Sequence, residues 1–236
     1  SLLKPSSNSA KQFGQALSMS NGKIAASSSE MVVDYQSGGV LAKRGRVSVF
    51  GANYLRKYKD TSVDYTSSKT NDGYGTSLDL WENTLVVGAP NDSSNGENSG
   101  MAYVYDLASS STSQLSPEHA EAGDYFGRYV GIDNHIAVAG SVCDGDFGDC
   151  SGATYVFELG DDGVWIETAK LMASDADAED GFGMDVAIHG EQIIVGAPFN
   201  QDAGVRSGSA YIYEKTDGEW VETAKLVSAD LDEEDW

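Results

Sequence analysis

The sequence predicts an all-β chain built of consecutive four-stranded antiparallel sheets. Three observations carry that expectation. A three-part phrase recurs along the 236 residues. Within each repeat, short runs alternate in polarity or are rich in β-branched residues, which is the signature of strands. Turn residues separate the runs at short, regular intervals.

Recurrence sets the architecture before any single residue is interpreted. The first part of the phrase is an aromatic-glycine anchor at Phe13-Gly14, Tyr74-Gly75, Phe126-Gly127 and Phe182-Gly183, with Asp235-Trp236 at a fifth place. Successive anchors lie 61, 52, 56 and 54 residues apart. The second part is Gly88-Ala89-Pro90 and Gly196-Ala197-Pro198, read as decayed to Ala25-Ala26-Ser27 and Ala139-Gly140-Ser141 in the first and third repeats. The third part is Arg46-Val-Ser-Val-Phe50, Ala102-Tyr-Val-Tyr105, Ala153-Thr-Tyr-Val-Phe157 and Ala210-Tyr-Ile-Tyr213.

The last repeat shows the elements in order. Residues 183–188 alternate and make a first strand, and His189-Gly-Glu191 is a tight reversal. Gln192-Ile-Ile-Val195 is a short β-branched run, expected as a strand buried on both faces. A polar loop runs from residue 199 to 207. Residues 208–213 form the third strand, residues 215–218 a turn, and Trp220-Val-Glu-Thr-Ala-Lys-Leu226 the fourth strand. One such sheet cannot bury both faces alone. Sheets packed face to face around an axis can, as the blades of a β-propeller. The anchor glycine suits a strand start where backbones approach closely. The anchor aromatic suits a wedge between blades, and the proline ends its strand because it lacks the ladder donor.

These phrases resemble FG-GAP repeats, the unit of integrin-α-like β-propellers. The closest resemblance is to the variety with Trp-x-Glu-x-x-Lys-Leu in the fourth strand, here Trp165 to Leu171 and Trp220 to Leu226. The resemblance covers essentially the whole chain and is most specific in the second and fourth repeats. It implies a blade fold, about seven blades in a closed ring, and extracellular binding work, without implying one activity. The reading is therefore a single propeller segment over residues 1–236. Its repeats fall at 11–60, 72–115, 124–171 and 180–226, and residues 227–236 lead into a next repeat, as in part of a larger propeller.

Charge is placed unevenly. The net charge is −22; residues 1–70 hold ten Lys/Arg against four Asp/Glu, and residues 71–236 hold five against thirty-three. Acidic residues solvate outer strands and loops. The alternative is polar assembly. The basic groups Lys43-Arg44-Gly-Arg46 and Arg56-Lys57-Tyr-Lys59 would face the acidic Asp230-Leu-Asp-Glu-Glu-Asp235 of another copy, head to tail. The overall sign disfavours nucleic acid. No apolar run approaches the ~18 residues of a membrane-spanning helix.

Cys143 and Cys150 are the only cysteines and flank Asp144-Gly-Asp-Phe-Gly-Asp149. A disulfide across this short loop is expected, and with it an oxidising, secreted setting. Free thiols or half of a metal site are the alternatives. Asn91-Asp-Ser93 is one glycosylation acceptor triplet.

Integrin-type repeats carry calcium between their first and second strands. Here that connection is only a turn, so calcium is not carried over from the resemblance. Other acids offer a hard cation its about six to eight oxygens. Asp144, Asp146 and Asp149 in the cystine loop are one candidate calcium site, and Asp175, Asp177 and Asp180 before an anchor are a weaker one. The alternative for Asp180 and its equivalents Asp72, Asp124 and Asp235 is acceptance of backbone N–H groups in the turn.

No nucleophile elbow, zinc-binding His pair or phosphate loop appears, and His119, His135 and His189 fall in different repeats. The chain is read as non-catalytic. Trp165 and Trp220 recur in register and suit packing, whereas Trp81 has no aromatic equivalent and is read as a surface contact. Binding is assigned to the loops after each second strand, with Trp81, Asp92, Asn95, Asn200 and Asp202 as contact residues. The first repeat carries the longest such insert, residues 27–44. The function expected is an extracellular or cell-surface binding and structural module for adhesion or for assembly of an external structure. Its partners would be protein or glycan at the cell surface or in the matrix. The alternative is an accessory propeller of a secreted carbohydrate- or lipid-active enzyme.

Overall fold

The computed structural model describes residues 10–11, 13–33, 40–51, 61–63, 71–202, 204 and 206–228. They form seventeen strands in four antiparallel sheets, with no helix among the described residues. The first sheet holds β1 (Ala10–Lys11), β2 (Leu17–Ser20), β3 (Lys23–Val33), β4 (Val40–Gly51) and β5 (Thr61–Val63). The second holds β6 (Leu78–Trp81), β7 (Thr84–Ala89), β8 (Met101–Asp106) and β9 (Ser111–Leu115). The third holds β10 (Phe126–Asp133), β11 (Ile136–Ser141), β12 (Ala153–Leu159) and β13 (Trp165–Leu171). The fourth holds β14 (Asp185–His189), β15 (Gln192–Ala197), β16 (Ser209–Thr216) and β17 (Glu219–Leu226).

In the last three sheets the strands pair in chain order, as meanders. Strands β2 and β3 of the first sheet, and the first two strands of each other sheet, join through two-residue turns with positive φ at Asn21 and Gly22, Glu82, Asn134 and Gly190. That handedness matches the twist of paired strands. Innermost strands of successive sheets touch, with β10 packed on both β6 and β14. This is the blade-on-blade arrangement expected from the repeats.

The core lies between sheets. Three clusters of buried side chains fill the first-to-second, second-to-third and third-to-fourth interfaces. Each contains one anchor aromatic: Tyr74, Phe126 or Phe182. Phe126 and Phe182 are fully buried, each worth about 2–3 kcal/mol relative to exposure. They meet tyrosines of their own third strand edge to face: Phe126 on Tyr155 at 5.8 Å and Phe182 on Tyr211 at 5.5 Å. Where the anchor is Tyr74, its hydroxyl donates to Tyr105 at 2.9 Å, which accounts for the Tyr-for-Phe exchange.

Strand register moves two of the sequence equivalences by one or two residues. Leu17, Leu78, Val130 and Val186 pair with Ala26, Val87, Ala139 and Val195. The equivalents of Gly88 and Gly196 are therefore Gly140 and Ser27, and the degenerate Gly-Ala-Pro is Gly140-Ser141-Val142. The reason is contact across blades. A Cβ on Gly88 would lie 1.9 Å from the Gly127 carbonyl oxygen, and one on Gly140 2.1 Å from that of Gly183. In the second and third sheets the next anchor thus selects glycine, whereas the first sheet carries Ser27 against Gly75.

Two further expectations change. Residues 27–44 are in large part strand, not loop: β3 and β4 continue as a hairpin with Glu30 opposite Arg44 and Val33 opposite Val40. Strand β15 is buried on one face only, with Ile193 and Val195 inside and Gln192 and Ile194 exposed. The equivalent β7 and β11 are buried throughout most of their length, because a following sheet covers them. The side chains of Lys43 and Arg44, the Arg56-to-Lys59 group and residues 229–236, including Asp235 and Trp236, lie outside the described residues.

Candidate functional site

The loops after the second strands are built on a repeated brace. Asp92, Asp144 and Asn200 open the three described loops, and a tyrosine follows eleven residues later in each, at Tyr103, Tyr155 and Tyr211. All three loop residues are buried. The Tyr103 hydroxyl donates to Asp92 at 3.2 Å, and Tyr155 donates to Asp144 at 2.7 Å. Burial first, and then the Asp144 carboxylate, push the Tyr155 hydroxyl far above its ordinary value. Asp92 and Asn200 thus hold their loops from within, which corrects their reading as contact residues: a buried carboxylate or amide must be satisfied inside the fold.

The lysine of the fourth strand completes the brace. Lys170 reaches Asp144 at 2.9 Å and Asp146 at 2.7 Å. Lys225 reaches Asp175 at 2.6 Å, Asn200 at 3.3 Å, and Asp202. Burial opposes each ammonium charge, but the hydrogen bonds to these acids outweigh it and hold both lysines above their ordinary values. Burial likewise works against the Asp175 carboxylate, yet the bonds from Lys225 and Tyr211 hold it below its ordinary value. The glutamate of the same strand ties the sheet to the preceding connection: Glu167 accepts the Glu118 N–H at 2.9 Å, and Glu222 accepts the Ser174 N–H at 2.9 Å.

The pre-anchor acids cap backbone. Asp124 accepts the Glu121 N–H at 2.8 Å, and Asp180 accepts the Asp177 N–H at 3.1 Å. Asp180 also accepts the Asn200 side-chain amide at 3.1 Å. In the third sheet Asp144 stands where Asn200 stands in the fourth, so Asp124 meets a carboxylate instead of an amide donor. Burial, joined by the charge of Asp144, raises the Asp124 carboxyl above its ordinary value despite the Glu121 amide.

These residues surround a cleft of about 830 Å³ between the second-to-third connection and the cystine loop. Glu121 and Asp124 line one wall, Asp146 and Asp149 the other, with Tyr155 and Lys170 between. Cys143 and Cys150 are joined as a disulfide that closes the far wall. A loop this short gives about 2.5 kcal/mol of chain-entropy stabilisation. A smaller cleft of about 250 Å³ lies on the other side of the disulfide, lined by Met184, Phe199 and Arg206, the last 5.5 Å over the Phe199 ring.

Among the described residues, no group of three or more His, Cys, Asp or Glu is arranged to hold a metal ion. Asp144 and Asp146 share the Lys170 ammonium, while Asp149 is exposed and its carbonyl accepts the Glu179 N–H at 2.8 Å. Asp175 and Asp202 share Lys225, and Asp177 is exposed. Asn95 is exposed and donates to the Ser116 hydroxyl at 2.6 Å, and Asn91 is exposed beside it. Trp81 packs, half-buried, against the second-to-third core at the end of its strand. His119 lines the main cleft, His135 lies in the turn between β10 and β11, and His189 ends β14. Sequence reasoning missed the lysine braces. The recurring Lys in Trp-x-Glu-x-x-Lys-Leu, and the tyrosine eleven residues after each loop acid, were the available signals.

Chemically the main cleft is rich in acceptors. It suits a ligand that donates hydrogen bonds, such as an ammonium, a guanidinium or sugar hydroxyls.

No curated protein matches the chain. Among solved structures, the chain is similar to a Pyrococcus horikoshii acylaminoacyl peptidase, with 12% identity over 89% of this chain and 32% of that one, at a TM-score of 0.45. It is also similar to the β-propeller domain of the Trilobed protease from Pyrococcus furiosus, which has an open velcro topology. That match has 11% identity over 89% of this chain and 56% of that one, at a TM-score of 0.49. The chain thus spans between about a third and just over half of those chains. The FG-GAP repeat family model matches residues 67–105, 110–157 and 165–213, more than half of the sequence. With anchors, glycine contacts and blade order all in agreement, the chain belongs to the FG-GAP repeat family.

Proposed function

We propose that the chain is a non-catalytic binding and structural module, working outside the cell or at its surface in adhesion or in building an external structure. The observation that carries this reading is the acceptor-rich cleft between the second-to-third connection and the braced cystine loop. The sheets hold it open, and the cystine loop differs in sequence from the equally long loops 90–100 and 198–208 while the strands recur. The disulfide supports an oxidising compartment. The exposed Asn91 supports the same setting, as an acceptor for glycan. The partner is a matrix or cell-surface protein presenting basic side chains, or a glycan presenting hydroxyls.

A biosensor experiment tests this. Immobilised wild-type protein is probed with lysine- and arginine-bearing peptides and with neutral glycans, beside a Glu121→Gln/Asp149→Asn variant. Both positions are exposed, so folding is preserved. The expected result is binding by the wild type that weakens about tenfold or more in the variant, equivalent to about 1.4 kcal/mol. Equal binding by both proteins, or binding by neither, rejects the cleft as the working surface.

A further inference from the structure

We infer that Asn95 is a site of self-modification, its side-chain amide converted to a carboxylate through attack by the Gly96 backbone nitrogen. The inference does not depend on what the cleft binds. It starts from the three loops that follow the second strands. In each, a glycine N–H closes the loop on the carbonyl of its opening residue: Gly100 on Asp92, Gly152 on Asp144 and Gly208 on Asn200. Each also bends at a glycine of positive φ, Gly96 at 145°, Gly148 at 119° and Gly204 at 149°. The carbonyls of these glycines accept the N–H groups of Ser99, Ser151 and Ser207 at 3.1, 3.1 and 3.3 Å. In the first two loops the glycine also presses on the connection to the next sheet. A Cβ on Gly96 would lie 3.3 Å from Ala122, and one on Gly148 2.8 Å from Ala178. Packing and backbone thus require the glycine, while the residue before it differs, Asn95 in one loop and Phe147 in the next. The second-sheet loop sets asparagine, a chemically labile residue, before a glycine the fold holds in place.

Asn95 is exposed, and its amide is held by one hydrogen bond, donated to the Ser116 hydroxyl at 2.6 Å. The Gly96 N–H donates to no group among the described residues, and glycine has no side chain to obstruct its nitrogen. In the reaction that nitrogen gives its proton to hydroxide and attacks the Asn95 Cγ. A bond forms between the Gly96 nitrogen and Cγ, the Cγ–Nδ2 bond breaks, and ammonia leaves with a proton from water. Water then opens the cyclic imide at either carbonyl. One product is aspartate; the other is isoaspartate, whose main chain runs through the former side chain. The sequence supplies its own control in a second Asn-Gly pair, Asn21-Gly22. That pair is the turn between β2 and β3, with φ of 41° and 72° and with Ser20 paired to Lys23. The Ser20 hydroxyl accepts the Glu82 N–H at 2.9 Å, and the Lys23 ammonium donates to the Glu82 carbonyl at 3.1 Å. Attack there would swing the central peptide of the turn and undo this pairing. Conversion at Asn95 adds a carboxylate beside Glu97, and isoaspartate lengthens the main chain by a methylene. The Glu97 carbonyl accepts the Gly123 N–H at 2.9 Å, and Ala122 and Gly123 line the main cleft. The change therefore reaches the cleft wall.

Wild type and Asn95→Gln, whose longer side chain closes such a ring poorly, are incubated in mildly alkaline buffer, folded and in concentrated urea. Conversion at each asparagine is then located by fragmentation in a mass spectrometer, and exchange of the Gly123 amide is followed in the same samples. In the folded wild type, Asn95 should convert at least about tenfold faster than Asn21. In urea the two sites should convert at similar rates, because the turn no longer restrains Asn21. Gly123 exchange should quicken as wild type converts and stay constant in Asn95→Gln. An intact Asn95 in the folded wild type overturns the inference, as does an Asn21 that converts equally fast there. Unchanged Gly123 exchange in converted protein overturns the link to the cleft wall.

Discussion

A Cβ on Gly183 would lie 2.6 Å from the Ala153 carbonyl oxygen, and its φ is +89°. Gly163 also has positive φ, +78°, but open space around it. Gly163→Ala should therefore cost only the left-handed backbone term, about 1 kcal/mol. Gly183→Ala adds a backbone clash at a blade joint and should cost about 3 kcal/mol or more. Denaturant midpoints of the two variants check this directly. Asp124 illustrates a different residue-scale effect. Its carboxyl is raised by burial and by Asp144, so ionising it opposes folding, and stability recovers as pH falls through its folded value. Asp124→Asn, which copies the acid-amide pairing of Asp180 with Asn200, should raise neutral-pH stability by about 0.5–1 kcal/mol. The gain should vanish under acid conditions, where the wild-type group is already neutral. Equal midpoints at neutral pH would remove this account.

At the scale of one strand, the motif Trp-x-Glu-x-x-Lys-Leu is a fastening device. The tryptophan packs on the neighbouring core, the glutamate holds the preceding connection, the lysine braces the loop acids, and the leucine awaits the next sheet. The two lysines differ in what they leave behind. Removing Lys170 strands the buried Asp144, so Lys170→Met should cost about 2 kcal/mol. Removing Lys225 releases mostly exposed acids, so Lys225→Met should cost about 0.5–1 kcal/mol. The pH window follows from the signs. Lys225 lies above its ordinary 10.5 in the fold, so its contribution is whole below that value and fades as pH rises through the folded one. Asp175 lies below its ordinary 3.8, so its contribution is present above 3.8 and fades as pH falls through the folded value. The difference between wild type and Lys225→Met should thus hold steady near neutrality and close at both extremes, as pH-resolved melting would show.

For the whole molecule, the dominant quantity is charge. Thirty-three acids against five bases beyond residue 70 must repel one another in the folded state. Braces and caps neutralise only some of them. Added salt, at about 0.5 M, shortens the screening length to a few ångströms and should raise the melting temperature of dilute protein by several degrees. A flat or falling melting temperature would show that local pairs already cancel the repulsion.

Periodicity and turn chemistry by themselves determined the all-β class, the repeat count and the strand order, because both are local: side-chain alternation and two-residue turns are written in neighbouring residues. The disulfide was legible for the same reason, since only two cysteines stand a short loop apart. Asp124 and Asp180 as backbone caps were legible as one of two alternatives. Only the tertiary structure decided the rest. It moved the third Gly-Ala-Pro to Gly140, because that glycine answers to the carbonyl of Gly183 in another sheet. It turned Asp92 and Asn200 inward, because Tyr103 meets Asp92 there, and Asp180 and Lys225 meet Asn200. It left Ile194 bare while burying Val86 and Val138, because exposure depends on whether another sheet lies above, and that is a contact between surfaces distant in sequence.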